Sequence, residues 1–386
     1  MREVYLDYAA TTPLRKEARE AMEVYFQEIF ANPVSLHSFG QKALKAVDEA
    51  RNKIKEILNA DDFREIIFTA SSTEANNYAL KGLVFYFYFK ANYKKVQIIT
   101  SSIEHPSVLD PLADLENLEI AEVIYLSPEK NGLINPQSII ENLKENTVLV
   151  SLHYINSELG NRQKVEEIGN LLEKINKQRE RKIFYHLDAA QAGLTEELDV
   201  KKLKCDLMTL SSHKIYGPKG IAALYLKLGT PLLRLISGSG HEFDLRGGTE
   251  AVPLIVGFAK AFELAYQERE KNKNHFIEIR DYFLKRLQEE KITFEVNTNL
   301  ENSSPKILNL YFPSKTAEEI FLYLDLNGVY VSPGTACKSR SAEPSYMVAE
   351  VFKSKERAKR SLRFSFGLET NFEDIDYLVS LLKKIL

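Results

Sequence analysis

The middle of the chain alternates short apolar runs with amphipathic segments. "EIIFTA", "VQIIT", "AEVIYL", "TVLVSLHY", "KIFYHLD", "CDLMTLSS" and "IAALYLK" are rich in β-branched and aromatic residues and read as strands. Between them lie helical periods, plainest in "VEEIGNLLEKINKQ". Earlier, "GQKALKAVDEARNKIKEILNA" places Leu44, Val47, Ala50, Ile54 and Ile57 on one helical stripe, predicting a helix that covers the sheet. This alternation predicts an α/β domain with a mostly parallel sheet. After about Gly257 the texture changes. A long helical stretch through "AFELAYQEREKNKNHFIEIRDYFLKRLQEE" leads into "ITFEVN", "KILNLYF", "VYVS" and "SLRFSF" interleaved with helices, predicting a smaller α+β domain. The division expected is residues 15–257 for the large domain and residues 1–14 with 258–386 for the small one, with no Pro/Gly linker between them.

Charge narrows the partners. The 386 residues carry 51 basic and 54 acidic side chains, a net charge of −3, with no long block of either sign, so nucleic acid is not an expected partner. The start "MREVYLDYAATT" lacks the apolar segment of a signal peptide, and the greasiest run, "GLVFYFYF", is far shorter than a membrane span. A cytoplasmic protein with a small-molecule ligand and no membrane attachment is expected. With two cysteines, Cys205 and Cys337, and no C-x-x-C pair, a disulfide framework or zinc knuckle is not expected.

Polar clusters recur just after the predicted strands, where open α/β sheets place their ligand crevice. "SSHKIYGPKG" follows the apolar run Leu207 to Leu210 and points Lys214 there. A lysine with apolar walls and His213 beside it has its ammonium disfavoured, which makes it a usable nucleophile or base. In "TASSTEANN", Ser71, Ser72 and Thr73 begin a helix, either as an ordinary cap or as an anion site. His105 in "SSIEHPSVLD" is a loop residue, a stacking ring or a base. Asp188 in "HLDAAQ", with Gln191 three residues on, caps a helix or faces a cation such as a protonated pyridine nitrogen. "HYINSELGN" supplies Asn156 and Glu158, and Arg363 precedes "FSF" with a fork suited to a carboxylate. Cys337, in "SPGTACKSRSAEP", sits among small and polar residues with Lys338 and Arg340 close by, the setting of a reactive thiol on an exposed loop. Cys205, opening a buried strand, reads as a packed small hydrophobe.

Taken together these stretches resemble the cysteine desulfurases of the NifS/IscS branch, pyridoxal-phosphate enzymes of the class V aminotransferase group and fold type I. The resemblance runs nearly end to end, through "YLDYAATTP", "NPVSLHSFG", "FTASSTEANN", "EHPSVLD", "HYINSELG", "HLDAAQ", "SSHKIYGPKG", "RGGTE", "GTACKS" with "EPSY", and "SLRFSFG". It implies that Lys214 carries pyridoxal 5'-phosphate covalently, Asp188 pairs with the ring nitrogen, His105 stacks over the ring and Gln191 approaches the phenolic oxygen. Thr73, Ser72, Ser211 and His213 would hold the phosphate, and Thr249 would reach the phosphate of the partner subunit in a homodimer. Asn156 and Arg363 would take the carboxylate of L-cysteine. Lys214 would remove the Cα proton, with His105 as proton donor or acceptor. Cys337 would accept the sulfur for transfer to an acceptor such as an iron-sulfur scaffold protein, leaving L-alanine. The resemblance also admits a selenocysteine lyase or another class V enzyme. The chain departs from its relatives at Ala251, Ser157 and Ala190, none of which removes a chemical role.

Overall fold

The computed structural model describes residues 2–334 and 344–386; Cys337, Lys338 and Arg340 lie outside the described residues. The strands, in chain order, are β1 (Val4–Tyr5), β2 (Ile66–Thr69), β3 (Val96–Ser101), β4 (Ala121–Leu126), β5 (Thr147–His153), β6 (Phe184–Asp188), β7 (Leu207–Ser211), β8 (Ala222–Leu226), β9 (Glu295–Val296), β10 (Ile307–Tyr311), β11 (Val329–Tyr330) and β12 (Ser361–Ser365). Seven of them form one sheet in the order β2-β8-β7-β6-β5-β3-β4. Its pairings are parallel except for β8, which runs antiparallel to both neighbours. The strands β2, β3 and β5 to β8 are buried at every position, whereas the edge strand β4 alternates. Helices therefore cover both faces, which is why these segments read as continuous apolar runs.

The parallel register aligns the carboxyl ends of the central strands. His153 of β5 lies opposite Asp188 of β6, and Asp188 opposite Thr209 of β7. β6 and β7 are thus immediate neighbours, and Asp188 is the last residue of its strand. Beneath this edge a buried polar ladder crosses the sheet, from Ser151 Oγ to His186 Nδ1 (2.8 Å) and from His186 Nε2 to Thr209 Oγ1 (3.1 Å). Burial pushes the His186 imidazole down to about 4, so it stays neutral at neutral pH.

A second, antiparallel sheet has the order β12-β10-β9, and β1 pairs in parallel with β11. Bridges from Asp7 to Ser365 and from Ser332 to Arg363 join these two groups. The strand expected in "ITFEVN" is reduced to the two residues of β9. The long helical stretch breaks at Glu268 into helices Val252–Gln267 and Arg269–Glu289, and Gly257 lies inside the first. A Cβ at Gly257 would stand 2.4 Å from Met22 Sδ, so glycine there lets helix Lys16–Gln27 cross closely. In helix Ser38–Ile57 the buried face runs through Ala43, Val47, Ala50 and Ile54, with Leu44 and Ile57 half-buried at its margins. That face also buries Arg51, whose guanidinium pairs with Glu242 (2.7 Å).

Candidate active site

The carboxyl edge of the seven-stranded sheet opens into a cavity of about 280 Å³. Five of the seven strands contribute: Ser72 and Thr73 follow β2, His105 follows β3, Asn156 follows β5, Asp188 ends β6, and His213 and Lys214 follow β7. Gln191, one turn beyond Asp188, and Arg363, from β12, complete the expected residues that line it. Ser211 does not line the cavity, although its hydroxyl is buried and has no hydrogen-bond partner among the described residues. Thr249 is exposed and away from its own chain's cavity, and Cys337 is outside the described residues.

The turn that presents Lys214 is built by close contacts. Tyr216 adopts φ of +65°, a left-handed conformation costly for a side chain of its size. At Gly217 a Cβ would come within 2.2 Å of Ser212 Oγ, so only glycine lets the chain fold back over Ser212. The N-terminal segment closes over this turn. Lys214 Nζ donates to the carbonyls of Ala9 (2.6 Å) and Ala10 (2.7 Å), Thr12 N and Oγ1 both donate to the His213 carbonyl (3.0 Å each), and Tyr216 N donates to Thr12 Oγ1 (2.8 Å). Two carbonyl oxygens therefore aim the amino group. Burial, with the positive charges of Lys214, Lys219 and Lys306, pushes His213 down to about 4 and leaves it a neutral imidazole.

Asp188 is 7% exposed and makes no ion pair among the described residues. Its carboxylate accepts from Asn76 Nδ2 (2.9 Å) and Ala190 N (3.0 Å). Asn76 Nδ2 also donates to Ser107 Oγ (2.9 Å), which contacts His105 Nδ1 (2.8 Å). Since the backbone N–H of Ser107 also donates to that Nδ1 (3.1 Å), neutral His105 carries its proton on Nε2. Burial lowers the proton affinity of His105, partly offset by Asp188. Sequence reasoning missed Asn76 and Ser107 as members of this chain; Asn76 is one helical turn after Ser72 and Thr73, and that spacing was the available signal. The carbonyls of Ala9 and Ala10 have no sequence signal at all.

Two expected substrate contacts carry structural duties. Asn156 Oδ1 accepts from the backbone of Glu158 (3.0 Å) and Leu159 (2.8 Å), and its Nδ2 donates to the Ile103 carbonyl (3.1 Å). Arg363 pairs with Asp7 (2.6 Å) and donates to the Ser157 carbonyl (2.8 Å), while its buried Nε has no partner among the described residues. The guanidinium is thus held in a fixed plane at the cavity wall. His153 also lines the cavity, held by Glu104 (2.8 Å) and Gln163 (3.1 Å).

Residues 4–378 match the family Aminotransferase class-V. The chain belongs to this family. Its relatives include the "Cysteine desulfurase IscS" of Dictyoglomus turgidum, 41% identical over all of this chain and 95% of the relative. The protein of the same name from Neisseria meningitidis serogroup C is 40% identical over 98% of this chain and 91% of its own length. Among solved structures, a "NifS-like protein" superposes with a TM-score of 0.91 at 30% identity, covering all of this chain and 99% of that one. "SspA in complex with cysteine" superposes at 0.80 and 35% identity, over 94% of this chain and 98% of that one. The class-V aminotransferase fold is thus the PLP fold type I that the resemblance implied, with the mostly parallel sheet that the strand pattern predicted, and the family's cofactor is pyridoxal 5'-phosphate.

The residues present fit that cofactor. A buried carboxylate without an ion-pair partner among the described residues faces the cavity that Lys214 enters, and a protonated ring nitrogen would supply the cation. Gln191 donates to the Ala9 carbonyl (2.8 Å), while its buried Oε1, unpartnered among the described residues, can accept from the cofactor's hydroxyl.

Proposed function

We propose that this protein is a cysteine desulfurase that converts L-cysteine to L-alanine and passes the sulfur through a persulfide on Cys337 to an acceptor protein, such as an iron-sulfur scaffold. The observation that carries the reading is the pairing, in one cavity, of an amine aimed by two carbonyls with a buried carboxylate that has no cationic partner among the described residues. The names of the relatives support the choice of cysteine.

In this reading Lys214 would hold the cofactor covalently, with Asp188 for its ring nitrogen and Gln191 for its hydroxyl. Ser72, Thr73 and His213 would hold the phosphate, with Ser211, which does not line the cavity, supporting them, and His105 would stack on the ring. When bound, pyridoxal phosphate acts as an electron sink that makes a Cα–H bond of the substrate breakable. The chain does the rest. Lys214 Nζ, aimed by the Ala9 and Ala10 carbonyls, would take the Cα proton of the substrate. Arg363, fixed by Asp7, and the remaining Nδ2 hydrogen of Asn156 hold the substrate carboxylate. His105, lining the same cavity, would serve as proton donor or acceptor to the substrate. The Cys337 thiolate attacks the substrate sulfur, so that an S–S bond forms as the Cβ–S bond breaks and the protonated carbon fragment leaves as L-alanine.

A homodimer belongs to the same reading: Thr249, exposed in the single chain, reaches the phosphate site of the opposite subunit. So does a cytoplasmic location; no helix among the described residues is long and apolar enough to cross a membrane. The test is incubation with L-cysteine and a reductant, assaying sulfide and alanine together. Equal amounts are expected. Turnover of selenocysteine without turnover of cysteine would turn the reading toward a selenocysteine lyase, and amino-group transfer without sulfide toward an aminotransferase.

A further inference from the structure

Lys306 leads into β10 and is one of the largest fully buried side chains, 1% exposed. Its backbone carbonyl is fixed by Phe366 N (2.9 Å), just past β12, so the side chain has little freedom to leave. Its amino group donates to the backbone carbonyl of Lys214 (3.1 Å), and no carboxylate pairs with it among the described residues. The charged and titratable groups facing it are Lys214 and His213 from the turn after β7 and Arg363 from β12. Asp7, the acid nearest Arg363, is spent on that guanidinium. A buried ammonium with one acceptor and cations on two sides is an expensive arrangement, and lysine persists here in the wall behind the amine that the site depends on.

We propose that Lys306 is a positioning residue for Lys214, holding the carbonyl of the cofactor-binding lysine and placing a second ionisable nitrogen beside it that governs how readily Lys214 takes up a proton. The holding role is geometric. Lys214 sits two residues before the left-handed Tyr216, and a donor on its carbonyl locks the peptide next to the Cα from which the Lys214 side chain projects. The electrostatic role follows from like charge. When Lys306 is protonated, a cation on Lys214 is disfavoured, and when it is neutral that penalty disappears. Burial first, then the charges of Lys214 and Arg363, bring Lys306 down to about 7, so the change of state falls in the working range. Two nitrogens coupled this way share their protons over a broadened span of pH.

The inference rests on Lys214 being the cofactor lysine, and the experiment separates the two. Purified holoenzyme is first reduced with borohydride and mapped; a label on another lysine overturns the cofactor reading and this inference with it. With Lys214 labelled, the visible band of the bound cofactor is titrated with pH in wild type, Lys306→Met and Lys306→Arg. The wild-type curve is expected to be broader than a single-proton curve. Lys306→Met, with no charge to share, should sharpen it to one proton, and Lys306→Arg, permanently charged, should set the midpoint about one pH unit below that of Lys306→Met. A single-proton wild-type curve overturns the inference alone, as do equal midpoints in the two variants. Should both variants fail to fold, the wild-type curve decides. A role in packing alone would move none of these quantities.

Discussion

Asp188→Asn removes one charge and almost no volume from the cavity, so it isolates the electrostatic part of the proposed chemistry. Two donors hold the carboxylate, Asn76 Nδ2 at 2.9 Å and Ala190 N at 3.0 Å. An asparagine can keep the Ala190 bond through its oxygen, but its amide would face that of Asn76. Asn76 Oδ1 is buried without a partner among the described residues, so a flip of Asn76 turns the clash into a hydrogen bond, but at the expense of its bond to Ser107 Oγ, whose one hydrogen goes to His105 Nδ1. The folding cost should therefore be about 1–3 kcal/mol, that of exchanging charge-assisted hydrogen bonds for neutral ones and losing one buried bond. The catalytic cost is larger. A carboxylate about 4 Å from a ring cation contributes roughly 4 kcal/mol at an effective dielectric constant near 20. Without it the ring nitrogen loses its proton and the electron sink weakens, so kcat for sulfide release should fall by about a thousandfold. The assay is kcat for sulfide and alanine in protein loaded with cofactor, beside a urea unfolding curve. A loaded, folded Asp188→Asn enzyme with wild-type kcat would refute the assignment of Asp188 to the ring nitrogen.

Further outcomes can be checked separately. Lys214→Ala should fold but give no cofactor adduct on borohydride reduction, and sulfide release from cysteine should disappear. Cys337→Ser should bind cofactor and still change its visible spectrum with cysteine, yet lose sulfide release, because a hydroxyl cannot hold a persulfide; after brief exposure of wild type to cysteine, alkylation and mass measurement should find the extra sulfur on Cys337 and not on buried Cys205. Gly217→Ala places a Cβ 2.2 Å from Ser212 Oγ and should destabilise the fold by about 1–3 kcal/mol in urea, lowering cofactor occupancy with it. His186 is pushed down to about 4 by burial, so between the ordinary value of 6.5 and 4 the unfolded chain binds a proton that the folded chain refuses. Its stability contribution is complete above about pH 6.5 and drains as pH falls, by about 2 kcal/mol between pH 7 and pH 5. Urea curves at both pH values should show a smaller difference in His186→Asn.

The sequence by itself determined the architecture and much of the site's inventory. Strands of a sheet covered on both faces are apolar throughout, so β2, β3 and β5 to β8 stood out as runs, and an α/β sheet of this kind gathers the residues after its strands at one edge. That rule is enough to bring Thr73, His105, Asn156, Asp188 and Lys214 to one cavity, since each follows or ends a legible strand. Two-residue strands such as β9 and β11 carry too few positions for a period, and the break at Glu268 interrupts a helical pattern that continues across it. Tertiary structure alone decided which groups complete the site. The Ala9 and Ala10 carbonyls reach Lys214 across some two hundred residues, and backbone oxygens are the same in every sequence. Arg363 reads as a free fork in the sequence but is held by Asp7, because the parallel bridge beside Ser365 brings the N-terminal segment against β12. Nothing in the sequence singles out Lys306, since a long charged side chain lies at the surface by default. Only the packing of β10 against β12, behind the turn after β7, leaves its amino group no route to water and one carbonyl to hold.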